Sequence, residues 1–396
     1  MAAYTQTTDS SLTRKMWDKV LHEQVQDKSF FKGMIGKDKG GEGSIDEQVS
    51  NFPIVEKTQL GKEAGDRITI GLVKQLVQGD TKNAGKTGNS VLVDAESSMT
   101  FHYVNAILDH YRNGVLIEGK MTEQRSPYDL QKTASQLLST HLAKQLDDSL
   151  FFSMYSGYSP NVIREGGATS VAHPNIITAL GGAVVDATEF NTLSPAGEMN
   201  LTADSLDLLA TICAENNINP IIVDGEPHFM LVVHPRSAKT LRGDSDWVNA
   251  QYYSAESGGK KNPLFTGQLG MWGGIVVKES NKIAQLGNYT SGAGKLTVAS
   301  KQITVVADGF TTNTTEANFR MNILLGANSI ARAFGVESYM ARRKEDDYGN
   351  RIGFGGGYIY GDRRADFTLD EGATTKNQSS LIFVTKAPSV SSVSVW

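Results

Sequence analysis

Four groups of residues in this sequence have types and spacings that could do chemistry. The run Gly79-Asp80-Thr81-Lys82-Asn83-Ala84-Gly85-Lys86-Thr87-Gly88 has the glycines, lysine and threonine of a phosphate-cradling loop. Such a loop wraps backbone N–H groups around phosphates and leads into a helix, with four residues between its glycines. Here five residues separate Gly79 from Gly85, and a strand pattern follows. The run therefore reads as the solvated tip of a hairpin. Asp224, Glu226, His228 and His234 offer oxygen and imidazole ligands, but none of the seven histidines forms an H-E-x-x-H pair, and no metal is expected. Cys213 falls on the apolar side of a helical pattern and reads as core rather than nucleophile. Gly353 to Gly361, GFGGGYIYG, lacks the dinucleotide fingerprint and opens no helix. Close backbone packing within a strand explains it better. There is no G-x-S-x-G elbow. The expectation is a protein that is not an enzyme and binds no cofactor.

Composition narrows the class. The chain has 396 residues, room for about two or three domain-sized units. Its net charge of −5 argues against a dedicated DNA-binding surface, which would be strongly basic. Cys213 is the only cysteine, so no intrachain disulfide and no multi-cysteine zinc site can form. The opening residues, MAAYTQTTDSSLTRKMW, lack the apolar run of a signal peptide, and no stretch reaches transmembrane length. A soluble protein of a reducing compartment, without membrane association, is expected.

The elements that must position everything else are organised around one helix. Ser126 to Ser156 is the longest helical signal, with Ser126 as N-cap, Pro127 at the first position and Asp129 completing a capping-box-like start. Gly157, Ser159 and Pro160 end it. Asp129, Thr133, Gln136, Thr140, Lys144 and Asp147 recur at steps of three and four and form a polar strip. Leu130, Ala134, Leu137, Leu138, Leu142, Leu146 and Leu150 cover a wide apolar sector. So broad a sector marks a spine touching several neighbours.

Around this spine, Leu12, Met16, Trp17 and Val20 predict a short amphipathic helix that must dock on its own chain or a neighbour. Ile68, Ile70 and Leu72 alternate with Arg67, Thr69 and Gly71, and Met99, Phe101, Tyr103 and Val104 return. This is a long hairpin with a hydrophilic tip, Gln78 to Ser90, and little core of its own. Thr202 caps a second helix with Leu206, Leu209, Ile212 and Cys213 inward. Phe229 to Val233 and Gly274 to Val277 read as buried strands, with a short helix opening at Pro235. Asn281 to Asn318 reads as a β-hairpin insertion, Arg320 to Phe334 as a third helix, and Arg351 to Phe367 as a glycine- and tyrosine-rich strand region. The tail ending SVSSVSVW is either disordered or an added strand.

Several short motifs, in order, resemble one family. They are Gly119-Lys120-Met121, Glu123-Gln124-Arg125 and Asp129-Leu130 before the spine, and Asp224-Gly225-Glu226, His234-Pro235 and Leu241-Arg242 with Trp247 after it. Asn262-Pro263-Leu264-Phe265-Thr266-Gly267 and Leu325-Gly326-Ala327 complete the set. The sequence resembles the major capsid proteins of tailed phages, specifically the N4-like group with the HK97-type fold, over roughly residues 45 to 370. The resemblance implies an α+β chain divided into an N-terminal arm (1–50), an extended β-hairpin loop (51–118) and a peripheral domain with the spine helix (119–200). An axial domain (201–345, with a β-insertion near 281–318), a return strand (346–370) and a C-terminal tail (371–396) follow. It implies hexamers and pentamers closing into an icosahedral head around double-stranded DNA, with non-specific proximity to that DNA. Portal protein, and scaffolding or decoration proteins, are the further partners implied. Assembly would occur in the bacterial cytoplasm and the protein would reside in the virion. Expected inter-subunit contacts are Leu12 and Trp17 on the arm, Lys82 and Lys86 in the hairpin tip, and Glu123 and Arg125 before the spine. An encapsulin-like nanocompartment shell is the alternative, and an unrecognised hydrolase or ligase the third reading.

Overall fold

The structure, a computed structural model, describes residues 29–37, 51–57, 65–73, 101–117, 119–125, 130–164, 168, 173–179, 199–223, 225–250, 268–284, 294–298, 301–306, 319–343, 350–368 and 375–386. In chain order, a short turn of 3-10 helix (Lys32–Met34) leads into β1 (Ile35–Lys37), followed by β2 (Ile54–Lys57), β3 (Arg67–Val73), β4 (Phe101–Ile107) and β5 (Asp109–Ile117). Three helices come next: α1 (Gly119–Arg125), α2 (Leu130–Ser156) and α3 (Pro160–Arg164). Then come β6 (Ile176–Thr178), α4 (Ala203–Glu215), β7 (Ile221–Val223), β8 (Glu226–Val233) and α5 (Pro235–Arg242). The remainder is β9 (Gln268–Trp272), β10 (Ile275–Glu279), β11 (Gly294–Val298), β12 (Lys301–Val306), β13 (Phe319–Leu325), β14 (Ile330–Arg342), β15 (Ile352–Arg364), β16 (Phe367–Thr368), β17 (Thr375–Lys376) and β18 (Ser380–Lys386). One sheet runs β1-β2-β14-β15-β5 and a second runs β6-β18-β13-β8-β10-β9, with β7 paired to β8.

Helix α2 joins the two sheets. Its first half presents Leu138, Leu142, Ala143 and Leu146 to Phe334, Tyr358 and Tyr360 of β14 and β15. Its second half presents Leu150, Phe151, Phe152, Met154 and Tyr155 to the larger core, which includes β8, β10, β13, β18, α4 and α5. The described helix begins at Leu130, so the caps expected at Ser126, Pro127 and Asp129 lie outside the described residues. At its other end Gly157 takes φ +81° and its N–H donates to Ser153 O at 2.8 Å, a left-handed glycine stop.

Glycines of β15 permit the close approach of α2. A Cβ at Gly356 would stand 3.2 Å from both Leu138 Cδ2 and Leu142 Cδ1. One at Gly361 would meet Ile107 O at 2.0 Å, so that position has no room for a side chain. The glycine-rich strand therefore holds its helix and neighbouring strands by backbone contact, as the sequence suggests.

The β3–β4 hairpin is antiparallel from Arg67 opposite Ile107 to Val73 opposite Phe101. Its base rests on a small cluster of Ile68, Ala106 and Ala333. Its expected tip, with Lys82 and Lys86, lies outside the described residues. The second-helix expectation holds: Thr202 caps α4, its Oγ1 accepting Ser205 N–H, and Leu206, Leu209 and Cys213 are buried.

Three expectations need correction. Arg320 to Phe334 is not a helix but the strands β13 and β14. Both faces of this segment are buried, so the alternation of Arg320 and Asn322 with Met321 and Ile323 gives way to the continuous run Ile323-Leu324-Leu325, which imitates a helix. Gly326, where a Cβ would meet Asn219 O at 2.1 Å, and Asn328, at φ +56°, turn the chain between the strands. Asp147 is buried rather than part of a solvated strip, because its carboxylate accepts Ser29 Oγ–H at 2.6 Å and Phe30 N–H at 2.9 Å. The insertion begins later than Asn281, since Ile283 and Ala284 are in the core and Ala284 O accepts Met321 N–H. For the tail, the added-strand alternative holds: residues 371–396 contain β18, whose Leu381, Ile382, Phe383 and Val384 are buried between β13 and β6.

Leu138 and Leu137 are adjacent on α2, but Leu138 is buried and Leu137 is 60% exposed. Truncation of a buried leucine costs about 2–5 kcal/mol through lost transfer energy and the cavity left behind. Leu138→Ala should show that loss in chemical denaturation of unassembled subunits, and Leu137→Ala should stay within about 0.5 kcal/mol. Equal losses would contradict the packing of α2 on β15.

Candidate functional site

Among the described residues, the groups that suggest catalysis do not gather into a site. Cys213 is fully buried on α4, and burial pushes its thiol up to about 12, far from a reactive thiolate. Glu226 is exposed at the start of β8, His228 is half-buried on the same strand, and His234 is the N-cap of α5. Asp224 lies outside the described residues. Among the described residues no three His, Cys, Asp or Glu side chains gather as metal ligands. The polar groups that do gather hold the spine.

Every residue of α2 from Ser149 to Ser156 is buried. A helix ends with carbonyls that have no partner within it, and burial denies them water. Arg364 of β15 supplies donors, its Nη1 reaching Met154 O and Tyr155 O at 2.9 Å each. Arg363 Nη1 donates to Gly157 O at 3.1 Å, and its guanidinium lies 3.8 Å from the centre of the Tyr158 ring. Positive charge at this end also complements the helix dipole.

Each buried cation needs a buried anion. Arg364 pairs with Asp366 at 2.6 Å, and Asn377 Nδ2 donates to the same carboxylate at 3.0 Å. Burial tends to raise the Asp366 carboxyl, and Arg364 more than offsets this and holds it below the usual range. Halfway along α2, Arg332 of β14 donates to Asp362 at 2.8 Å and to Leu146 O at 2.7 Å, and Ser149 Oγ donates to Asp362 at 2.7 Å. Burial opposes the charge of Arg332, but the Asp362 carboxylate outweighs it and raises the guanidinium above its ordinary range. Tyr155 completes the clamp, donating to Met321 O at 2.7 Å and accepting Ala284 N–H at 3.2 Å. Sequence reading missed this set. Its one signal was the cluster Asp362-Arg363-Arg364-Ala365-Asp366, charge concentrated in an otherwise apolar strand.

The surface is the complementary half of the site. Met121, Leu137 and Leu116 are exposed on α1, α2 and β5. Phe52, Ile222 and Val223 are exposed together at the other sheet, where the Asn51 side chain bonds both backbone groups of Ile222. Of the expected contact residues, Arg125 is exposed at the end of α1 and Glu123 lies in the same helix. Leu12, Trp17, Lys82 and Lys86 lie outside the described residues.

A body of two cores joined by one buried helix, with apolar side chains left exposed, fits a building block. A sequence profile described as phage capsid protein matches residues 5–390. The chain belongs to the phage capsid protein family. The major capsid protein of Pseudomonas phage KPP25 is 25% identical over 311 residues, covering 71% of this chain and 74% of that protein. Two solved shells share the fold. The capsid of Ralstonia phage GP4 superposes with a TM-score of 0.64 at 20% identity, covering 91% of this chain and 92% of that one. The Cyanophage Pam1 capsid superposes at 0.67 with 18% identity and the same coverages. This phage capsid protein has the α+β HK97-type fold and its place is the virion. An encapsulin-like shell is not favoured, because the matched family and relative are phage capsid proteins.

The clamp has a consequence for acid stability. His173 is buried beside it, accepting Asn175 N–H at 3.0 Å and meeting Ser380 Oγ at 3.1 Å. Burial, reinforced by Arg364, lowers it from 6.5 to about 3. The unfolded chain therefore binds a proton that the folded chain refuses between those values, and stability falls as pH drops through this window. Asp366, with its depressed carboxyl, adds a loss only below its ordinary value of 3.8. Urea denaturation of unassembled subunits should show lower stability at pH 5 than at pH 7, and His173→Gln should remove up to about 1.4 kcal/mol per pH unit of that slope. His234 has the same sign, so some slope persists. An unchanged slope in His173→Gln would contradict the buried neutral imidazole.

Proposed function

We propose that this chain is the major capsid protein of a tailed, double-stranded DNA phage, and that it performs no catalysis. Copies assemble as hexamers and pentamers into the icosahedral head, in the host cytoplasm, with the portal protein at one vertex and scaffolding or decoration proteins as further partners. The observation that carries this reading is the family match along nearly the whole chain, from residue 5 to residue 390. The division of labour in the fold supports it. Spine and sheets, with β1, β2 and β5 among their strands, form the body, while the remainder of the 1–50 arm and of the 51–118 hairpin loop reaches to neighbours. Residues 119–200 and 201–345 then serve as peripheral and axial domains, with 346–370 returning to the former and 371–396 closing the chain. The net charge of −5 suits a wall that must not grip packaged DNA tightly.

Apolar burial between copies is the main driving term for such assembly. The purified chain, alone or with its scaffold, should form closed shells in electron micrographs. Deleting Gln78 to Ser90 should leave a folded subunit, with unchanged circular dichroism, that closes no shells. Normal shells from the deletion would refute the reach of the hairpin, and monodisperse monomers with enzymatic turnover from the intact chain would refute the shell reading.

A further inference from the structure

One concentration of positive charge is left over after the clamp is accounted for. The β8–β13 ladder pairs Ile323 with Val232, and extending that register sets Arg320 opposite Pro235, at the start of α5. On the same face of β13, Asn322 accepts His234 N–H at 3.1 Å and donates to Thr385 Oγ1 at 2.8 Å. Thr385 in turn meets Ser237 Oγ at 3.1 Å. These bonds direct Asn322 at the first turn of α5, and strand alternation puts Arg320 on that side too.

Arg320 is 3% exposed, and its Nε and Nη1 have no hydrogen-bond partner among the described residues. A buried guanidinium without an anion is costly, and it cannot readily discharge itself. The surroundings add to the strain. Burial, then the charge of Arg236, lowers Arg320 to about 10, and burial with both arginines lowers His234 to about 4. The positive end of the α5 dipole points the same way. Glu279, which faces Val233 across the β8–β10 ladder, is taken by Arg242 at 2.6 Å. His234 and Arg236 are half-buried, so the cluster reaches the surface at the start of α5.

We propose that Arg320, with Arg236 and the first turn of α5, forms an oxyanion site whose occupant in the shell is a side-chain carboxylate of a second copy of this chain. The inference rests on the shell reading above. Depth selects the ligand. A duplex phosphate rides on a rod too wide to reach so buried a group, whereas Asp or Glu carries its carboxylate on a narrow stem. The planar guanidinium fork also matches a carboxylate edge to edge. Each copy has 43 acidic against 38 basic residues, so every neighbour carries carboxylates in excess. The site would then be paired only on assembly, and would reward the correct neighbour with the removal of a buried unpaired charge.

Arg320→Met tests this in three measurements. In unassembled wild-type subunits, inorganic phosphate at ionic strength matched with chloride should raise the unfolding midpoint saturably, by about 2–4 °C, and the variant should not respond. The variant's own midpoint in chloride should equal or exceed that of wild type, because the unpaired charge is gone. Its shell yield should fall by more than about tenfold. In a reconstruction of the wild-type shell, a carboxylate of a neighbouring copy should lie within hydrogen-bond distance of Arg320. A carboxylate of the same copy, a DNA phosphate or no anion at that place would overturn the proposal, as would a variant that is destabilised and assembles normally. Absence of shells from wild type would overturn the shell reading instead, and the phosphate response would still decide whether the oxyanion site exists.

Discussion

The burial of the last turns of α2 on every side is the constraint on which the structure depends. A helix end in a dry interior leaves carbonyls that neither the helix nor water can satisfy. Arg363 and Arg364 take them, and that requires β15 to end where α2 ends. Arg364 in turn requires Asp366 and Asn377, which tie in the approach to β18. Arg332 and Asp362 repeat the device at Leu146, where α2 passes from one core to the other. Thus one helix, held at two points by buried ion pairs, fixes the relation of the two sheets.

This arrangement separates the tasks of a shell subunit. The contacts that hold α2 are satisfied within one chain and do not wait for neighbours. Helix α2 lies close on β15 because Gly356 offers no side chain, so the body is stiff through backbone contact as well as side-chain packing. The surfaces are left with exposed Met121, Leu137, Phe52 and Ile222, which a subunit in isolation does not cover. Even the described end of the arm belongs to the interior: Phe30 and Phe31 pack on Phe151, and Asp147 holds the backbone before them.

Much of this was legible from residue types and spacing, and the misses share one cause. Helix α2, its glycine stop, the capped α4, the β3–β4 hairpin and the packed glycines of β15 all obey local rules that the sequence displays directly. Residues 320–334 read as a helix because both faces of β13 are buried, and its run Ile323-Leu324-Leu325 lacks the alternation that marks a strand. Asp147 read as solvated because its partners, Ser29 and Phe30, are more than a hundred residues away. Arg332 and Asp362 are thirty residues apart and meet only through the β14–β15 ladder. Periodicity reports which face an element buries against an ordinary core; it does not report long-range polar pairing. The expected contact residues Leu12, Trp17, Lys82 and Lys86 concern what lies between subunits, which no single chain displays.

The most direct measurement compares a buried cation with an exposed one in unassembled subunits. Removing one partner of a buried pair leaves an uncompensated charge and costs about 3–5 kcal/mol. An exposed pair contributes about 0–1 kcal/mol. Arg364→Ala, which strands Asp366 and the carbonyls of Met154 and Tyr155, should therefore lower the chemical-denaturation stability by the larger amount. Arg242→Ala, which breaks a solvent-facing pair with Glu279, should lower it by the smaller. If the two variants lose the same stability, the end of α2 is not held by Arg364, and the account of how the spine joins the two sheets is wrong.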